Sequence, residues 1–276
     1  MIAFTKGHAY GNDFLYVEER GVRDAAPARL AQELCDRHSG IGADGLILYT
    51  RTADGATMSL LNADGSRAEV SGNGLRGLAA LVLRGDDRPG AEVTIHTGAG
   101  SRLVRRAGGS NDRPQFRAAM GLPTGLRQMR IMAGGETLET AVLSIGNPQC
   151  VVIGRLPDDE RFRRLGAALA HHTMFPEGTN VEFADVEAPD RVRILIWERG
   201  CGPTASSGTG SCAALVAAAA FGGAARVAEI IAPGGAQRVE WLDEDVYLTG
   251  WAEIVCEGRW LRPLPITSPA PSDPRP

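Results

Sequence analysis

Little in this chain points away from an ordinary globular core. Only 5% of its 276 residues are aromatic, against 43% hydrophobic and 22% charged, so an aliphatic core is expected and overall disorder is excluded. The net charge is a mild −4, and arginine patches such as Arg161-Phe-Arg-Arg164 are interrupted, which argues against a polyanionic partner such as nucleic acid. No basic segment followed by an apolar one opens the chain, and no apolar run reaches the roughly 18 residues of a membrane span. A cytoplasmic location with no membrane partner is the expectation. The five cysteines, Cys35, Cys150, Cys201, Cys212 and Cys256, are odd in number and contain no C-x-x-C pair, so most of them are read as small buried hydrophobes. His171-His172 has no Cys or carboxylate at ligand spacing and reads as an exposed helix end, leaving no metal site expected.

What the chain does have is a repeated device. Two polar, glycine-dense stretches, Asn62-Ala-Asp-Gly-Ser66 on to Ser71-Gly-Asn-Gly-Leu-Arg76, and Glu198-Arg-Gly-Cys201 on to Ser207-Gly-Thr-Gly210, each run into an alanine-rich segment. Ser71 and Ser207 occupy matching places 136 residues apart (207 minus 71). The order of elements around them also repeats. Ile2 to Thr5, Phe14 to Val17, Leu46 to Tyr49 and Thr57 to Leu61 read as strands around a helix from Pro27 to Arg37, followed by helical character over Gly74 to Leu83. In the second half Val142 to Ile145, Cys150 to Ile153 and Val192 to Trp197 read as strands, Asp158 to Ala170 as an outer helix, and Ser211 to Phe221 as the second alanine-rich helix. Ala-rich helices fit inside a wrapped sheet where bulk would not, and each would aim its N-terminal amides at one cleft as an anion site.

The expected organisation is therefore α/β with two pseudo-symmetric domains, each a mostly antiparallel sheet wrapped around a central helix. The first half covers residues 1–119, completed by a segment near 260–265, and the second covers 120–260, with the boundary at Met120-Gly-Leu-Pro-Thr-Gly125. The proline-rich tail 263–276 is expected to be disordered.

Gly72-Asn-Gly-Leu-Arg-Gly77 satisfies G-x-G-x-x-G, but ten residues of polar loop separate it from Leu61 and the surrounding half reads as a strand meander, so no nucleotide cofactor is expected. Ser71 and Ser207 also suit helix N-caps, a role compatible with a site. Glu198-Arg199 would emerge at a strand end, where Arg clamps a carboxylate and Glu accepts an ammonium, a combination that reads an amino acid. Asn12, Asn62, Asn147 and Asn180, each in a Gly- or Pro-punctuated loop, could serve a zwitterion without adding net charge. Gly11-Asn12-Asp13 reads as the polar turn between the first two strands.

These motifs, with Gly11-Asn-Asp-Phe14, Gly40-Ile-Gly-Ala-Asp-Gly45, Gly146-Asn-Pro148, Gly178-Thr-Asn-Val-Glu-Phe183, Gly208-Thr-Gly210 and Gly250-Trp-Ala-Glu-Ile-Val-Cys-Glu-Gly258, span nearly the whole chain, which resembles the diaminopimelate epimerase family. The resemblance implies a cofactor-independent isomerase of lysine biosynthesis that inverts an amino acid α-carbon by two-base proton transfer, usually as a homodimer. It implies that Asn12, Asn62, Asn147, Asn180, Glu198 and Arg199 bind the substrate and that Gly72, Asn73, Gly208 and Thr209 contact its α-carboxylate.

The family places two cysteines across the α-carbon, whose thiols reach working pH at a helix N-terminus. This chain has Ser71 and Ser207 there, and Gln149 where the family commonly has His. A serine hydroxyl is a far weaker acid and needs a helper base. The readings left open are an epimerase using the two serines with Glu198 or Asp64 assisting, a relative with altered chemistry (another racemase, isomerase or dehydratase), and a non-catalytic or silenced amino-acid-binding protein.

Overall fold

A computed structural model of the protein describes residues 1–68 and 70–263. The first part of the chain forms β1 (Ile2–Ala9), β2 (Asn12–Glu18), α1 (Pro27–Cys35), β3 (Gly45–Arg51), β4 (Gly55–Asn62), β5 (Arg67–Ala68), α2 (Gly72–Val82), β6 (Glu92–Thr97), β7 (Gly100–Gly109) and β8 (Pro114–Ala119). The rest forms β9 (Thr124–Ala133), β10 (Glu136–Ser144), β11 (Pro148–Ile153), α3 (Asp159–Ala170), β12 (Asn180–Ala188), β13 (Arg191–Glu198), β14 (Gly202–Thr204), α4 (Gly208–Ala217), β15 (Val227–Ala232), β16 (Gly235–Trp241), β17 (Val246–Trp251) and β18 (Glu253–Trp260). No helix among the described residues is long and apolar enough to cross a membrane.

The strands join in one continuous sheet whose pairing repeats. From β2 the order runs parallel to β3, antiparallel to β4, parallel to β6, then antiparallel through β7 to β8. From β11 it runs parallel to β12, antiparallel to β13, parallel to β15, then antiparallel through β16 to β17. β8 and β17 pair with each other and weld the two series. Each series is led by an antiparallel pair, β9 with β10 in one and β18 with β1 in the other. The strand that leads the first series is thus supplied by the far end of the chain.

Between β4 and β6 the chain crosses through α2, and between β13 and β15 through α4. G-x-G-x-x-G therefore does lie in a parallel crossover, contrary to the expected meander. Its glycines serve close contact. A Cβ on Gly72 would stand 3.0 Å from Gly208 Cα, and one on Gly77 would strike the Tyr16 hydroxyl. Both crossover helices are interior. Nearly all of α2 and every residue of α4 is buried, and Leu75, Leu78, Leu215 and Val216 join one core shared by both series. Each such side chain fully removed from water contributes roughly 1.5–3 kcal/mol.

The other two helices lie outside. α1 opens with Pro27 and buries Leu30, Ala31, Leu34 and Cys35, a helical face, against a separate cluster with Leu46 and Leu48. α3 is capped by Asp158, whose side chain accepts from Arg161 N, and buries Phe162, Leu165 and Leu169 against Phe183.

Sequence boundaries shift in physically simple ways. α2 and α4 begin at Gly72 and Gly208, immediately after their serine caps, rather than at Gly74 and Ser211. The last turn of the second helix widens to a π-helix over Ala218–Gly222 and stops at Gly223 with φ 80°. The β1–β2 turn is Tyr10-Gly11, not Gly11-Asn12-Asp13, because both turn residues take positive φ (55° and 86°) while Asn12 already pairs with Ala9. Cys35, Cys150 and Cys212 are buried, whereas Cys201 and Cys256 are exposed. All but the first residue of the 263–276 tail lies outside the described residues.

Gly77→Ala should destabilise the protein by about 1–3 kcal/mol, because the added methyl overpacks against Tyr16; the urea midpoint measures it, and an unchanged midpoint contradicts the packing described.

Candidate active site

Ser71 and Ser207 are N-caps, each with an extended backbone (φ −132° and −135°) and a hydroxyl oxygen that accepts from the amide three residues on. Gly74 N reaches Ser71 Oγ at 3.1 Å and Gly210 N reaches Ser207 Oγ at 3.2 Å. The two helices then meet end to end. A Cβ on Gly208 would lie 2.6 Å from Gly72 Cα, so only glycine permits the approach. Neither first turn holds an acidic residue. The paired N-termini therefore present amide hydrogens and partial positive charge to one small cavity of ≈ 60 Å³.

That cavity gathers most of the residues singled out in the sequence. Asn12, Asn62, Ser71, Asn147, Asn180, Glu198, Arg199, Ser207, Gly208 and Thr209 all line it. Gly72 and Asn73 do not. Gly72 is wedged on Gly208, and Asn73 is buried with Nδ2 donating to Asn12 Oδ1 at 3.0 Å. Asp44 and Cys201 line the cavity without having been singled out. Asp44 lay within the Gly40–Gly45 motif, but only the fold reveals that Oδ2 accepts from Asn12 Nδ2 (2.9 Å) and Asp13 N (3.1 Å).

The asparagines are held by local structure. Asn62, at the end of β4, donates to Ser66 Oγ (2.9 Å), and Asn180, at the start of β12, donates to Pro148 O (3.1 Å) and accepts from Arg199 N (2.9 Å). Asn147 donates to Thr209 Oγ1 at 3.4 Å. Beneath Thr209, the Gln149 side-chain amide lies between the buried Glu182 carboxyl (3.0 and 3.2 Å) and Asn147 Oδ1 (2.6 Å). Burial, with the charge of Glu198 added, pushes the Glu182 carboxyl well above the usual carboxylate range.

The two serines differ in their neighbours. Glu198 lines the cavity together with Ser207, and burial raises its carboxyl to about 7, the Ser207 hydroxyl lowering it and the charge of Asp44 raising it. No comparable carboxylate contact to Ser71 exists among the described residues. Asp64, the other carboxylate considered as a helper, turns back on its own loop to accept from Ser66 N (2.8 Å) and Ser66 Oγ (2.6 Å) and lines no part of the cavity. His8 also stands away, accepting from Gly11 N at 3.3 Å and facing Glu253. Cys201 is exposed as a residue, but it lines the cavity, where desolvation first and then Glu198, Asp44 and Asp64 raise its thiol to about 12, so it offers no thiolate near neutrality.

The family model described as diaminopimelate epimerase matches residues 4–121 and 141–255. A diaminopimelate epimerase of Desulforudis audaxviator (strain MP104C) is 40% identical over 277 residues, covering 94% of this chain and 99% of that protein. Diaminopimelate epimerase 1 of Nostoc sp. (strain PCC 7120 / SAG 25.82 / UTEX 2576) is 36% identical over 286 residues, covering 94% and 99%. Among solved structures, a probable proline racemase from Agrobacterium radiobacter K84 with bound carbonate superimposes with a TM-score of 0.76 at 16% identity, covering 95% of this chain and 93% of that one, a likeness of fold.

Because the Ser207 hydroxyl favours the charged form of Glu198, Ser207→Ala should move the Glu198 carboxyl above its present value of about 7. It should also cost about 0.5–2 kcal/mol through loss of the α4 cap. A side-chain carboxyl NMR titration and a urea melt read the two effects, and a Glu198 titration unmoved or shifted down contradicts the contact.

Proposed function

Since the chain belongs to the diaminopimelate epimerase family, we propose that it inverts the α-carbon of diaminopimelate, LL to meso, without a cofactor, with Ser71 and Ser207 at the two proton-transfer positions. The observation that carries this reading is a pair of opposed helix N-termini, capped by Ser71 and Ser207, at a cavity that Glu198 also lines, its carboxyl raised to about 7 by burial. A hydroxyl alone is a poor base, but a hydroxyl whose proton has somewhere to go is not.

In the proposed reaction the substrate α-carboxylate lies against the first turns of α2 and α4, where Gly208 and Thr209, which line the cavity, offer backbone amides. Those amides stabilise the charge that moves into the carboxylate as the α-proton leaves. Ser207 Oγ takes the α-hydrogen while its own proton passes to Glu198, and the C–H electron pair stays on the substrate carbon. Ser71 donates its hydroxyl proton to the opposite face, which completes inversion; water then reprotonates Ser71, and the hydroxide left behind takes the proton from Glu198, so that both groups return to their starting forms. A carbanion is basic enough to take a proton from an alcohol. The demanding step is abstraction, and that is the step Glu198 assists. General-base help of this kind is worth roughly 10²–10⁴ in rate. Asn12, Asn62, Asn147 and Asn180, with Arg199, line the same cavity and would hold the distal amino acid end and the reacting zwitterion. In keeping with the family resemblance, the proposed working form is a cytoplasmic homodimer acting in lysine biosynthesis.

Incubation of the protein with LL-diaminopimelate in D2O should place deuterium at the α-carbon and yield the meso form. The exchange rate should rise with pH through the Glu198 value of about 7, because only the deprotonated carboxylate accepts the Ser207 proton. Binding by calorimetry with no exchange points instead to an amino-acid-binding protein, and absence of any amino acid binding overturns both.

Ser71→Cys with Ser207→Cys should raise epimerisation by at least about tenfold, since thiols ionise far more readily than alcohols. A folded double variant no more active than the parent argues that the substrate is a different one.

A further inference from the structure

Arg76 lies one turn into α2, fully buried (0% exposed). Its Nη2 donates to Asn73 Oδ1 and, at 2.6 Å, to Gln237 Oε1. Nε and Nη1 have no partner among the described residues, and neither does the charge, whose surroundings are Tyr10, Tyr16 and Cys212. The guanidinium carbon stands 5.8 Å from the centre of the Tyr10 ring, and Tyr10 is itself the one non-glycine residue described with positive φ. Burial pulls the guanidinium down to about 10, which still leaves it charged near neutrality. A buried cation with unmet N–H groups is a burden to a fold, and an apolar side chain of similar volume would relieve it.

The guanidinium is nevertheless wired to the cleft. Asn73 Oδ1 accepts from Arg76, Asn73 Nδ2 donates to Asn12 Oδ1 (3.0 Å), and Asn12 Nδ2 donates to Asp44 Oδ2 (2.9 Å). Both amides thus point their nitrogens toward the carboxylate and their oxygens toward the guanidinium. An amide between neutral partners could lie either way round, but a cation at one end and an anion at the other permit one arrangement. A second branch reaches α4. Gln237 Nε2 donates to Ser206 Oγ (3.2 Å) and Ser211 Oγ (3.3 Å), and Ser211 Oγ donates to Ser207 O (2.7 Å).

We infer that Arg76 is a positioning residue for the reaction: through Asn73 it fixes which face of Asn12 meets the substrate, and through Gln237 it fixes the capped turn that carries Ser207. The inference rests on the proposed epimerase reading, since it assigns the network to that site. Its physical content is a chain of two oriented side-chain amides running from the Arg76 guanidinium to Asp44, which is itself ion-paired to Arg37 at 2.7 Å, at the expense of stability.

The test compares the full-length protein with Arg76→Met and Asn73→Asp, using thermal melts, diaminopimelate affinity by calorimetry and α-deuterium exchange. Arg76→Met should melt no lower than the parent yet lose roughly 10- to 100-fold in exchange, the scale of a misplaced catalytic group. Asn73→Asp gives Arg76 a direct carboxylate and removes the donor to Asn12 Oδ1; it should remain folded and lose exchange to a similar extent. Parental exchange and affinity in either folded variant overturn the inference, as does a joint fall of melting temperature and exchange in Arg76→Met with full exchange in Asn73→Asp. A parent that neither binds nor exchanges diaminopimelate instead refutes the functional reading, so the two failures are distinct.

Discussion

Everything at the centre of this molecule depends on how closely two helix ends can approach. A Cβ on Gly208 would lie 2.6 Å from Gly72 Cα, a distance at which no side chain fits. The contact brings two sets of free amide hydrogens to one place, and the helix dipoles add to them. Both helices also lie inside the sheet, their flanks packed into the shared core. The interior position in turn explains the composition of α4, Gly-Thr-Gly-Ser-Cys-Ala-Ala-Leu-Val-Ala, in which every residue is buried.

The site built on this contact is symmetric in backbone and asymmetric in chemistry. Both serines cap a helix with the same geometry, yet only Ser207 has a carboxylate beside it among the described residues. The backbone symmetry follows from the repeated strand–helix–strand crossover, and the asymmetry from where β13 ends, at Glu198. Under the proposed mechanism abstraction and donation fall to different kinds of group, a base-assisted hydroxyl on one face and a plain hydroxyl on the other.

Much of this was legible in sequence because the relevant signals are local. A serine before a glycine-rich turn and an apolar run marks a capped buried helix, and the outer helix faces of Leu30 and Leu34, or Phe162, Leu165 and Leu169, show helical spacing. The misplaced β1–β2 turn has a local cause as well: a tyrosine with φ 55° is disfavoured by its side chain, so pattern reading avoids it. Packing of Tyr10 on Trp251, ring centres 4.4 Å apart, holds it there, and that contact joins residues far apart in the chain. The inward turn of Asn73, the idle loop of Asp64 and the entry of Asp44 into the cavity were illegible for the same reason. Each is decided by a partner that sequence spacing does not name.

The sequence by itself determined the family, the two capped helices and the set of polar groups available to a small zwitterion, because these are written in short motifs whose conformational preferences are intrinsic. Tertiary structure alone decided which carboxylate reaches a serine, which amides face the cleft and which are spent on an internal chain from Asp44 to Arg76. Those outcomes turn on contacts of about 3 Å between residues tens to hundreds of positions apart, as the Asn12–Asn73 and Arg76–Gln237 hydrogen bonds illustrate. Local propensity carries no information about such distances; they are set when the welded strands close the sheet around both helices.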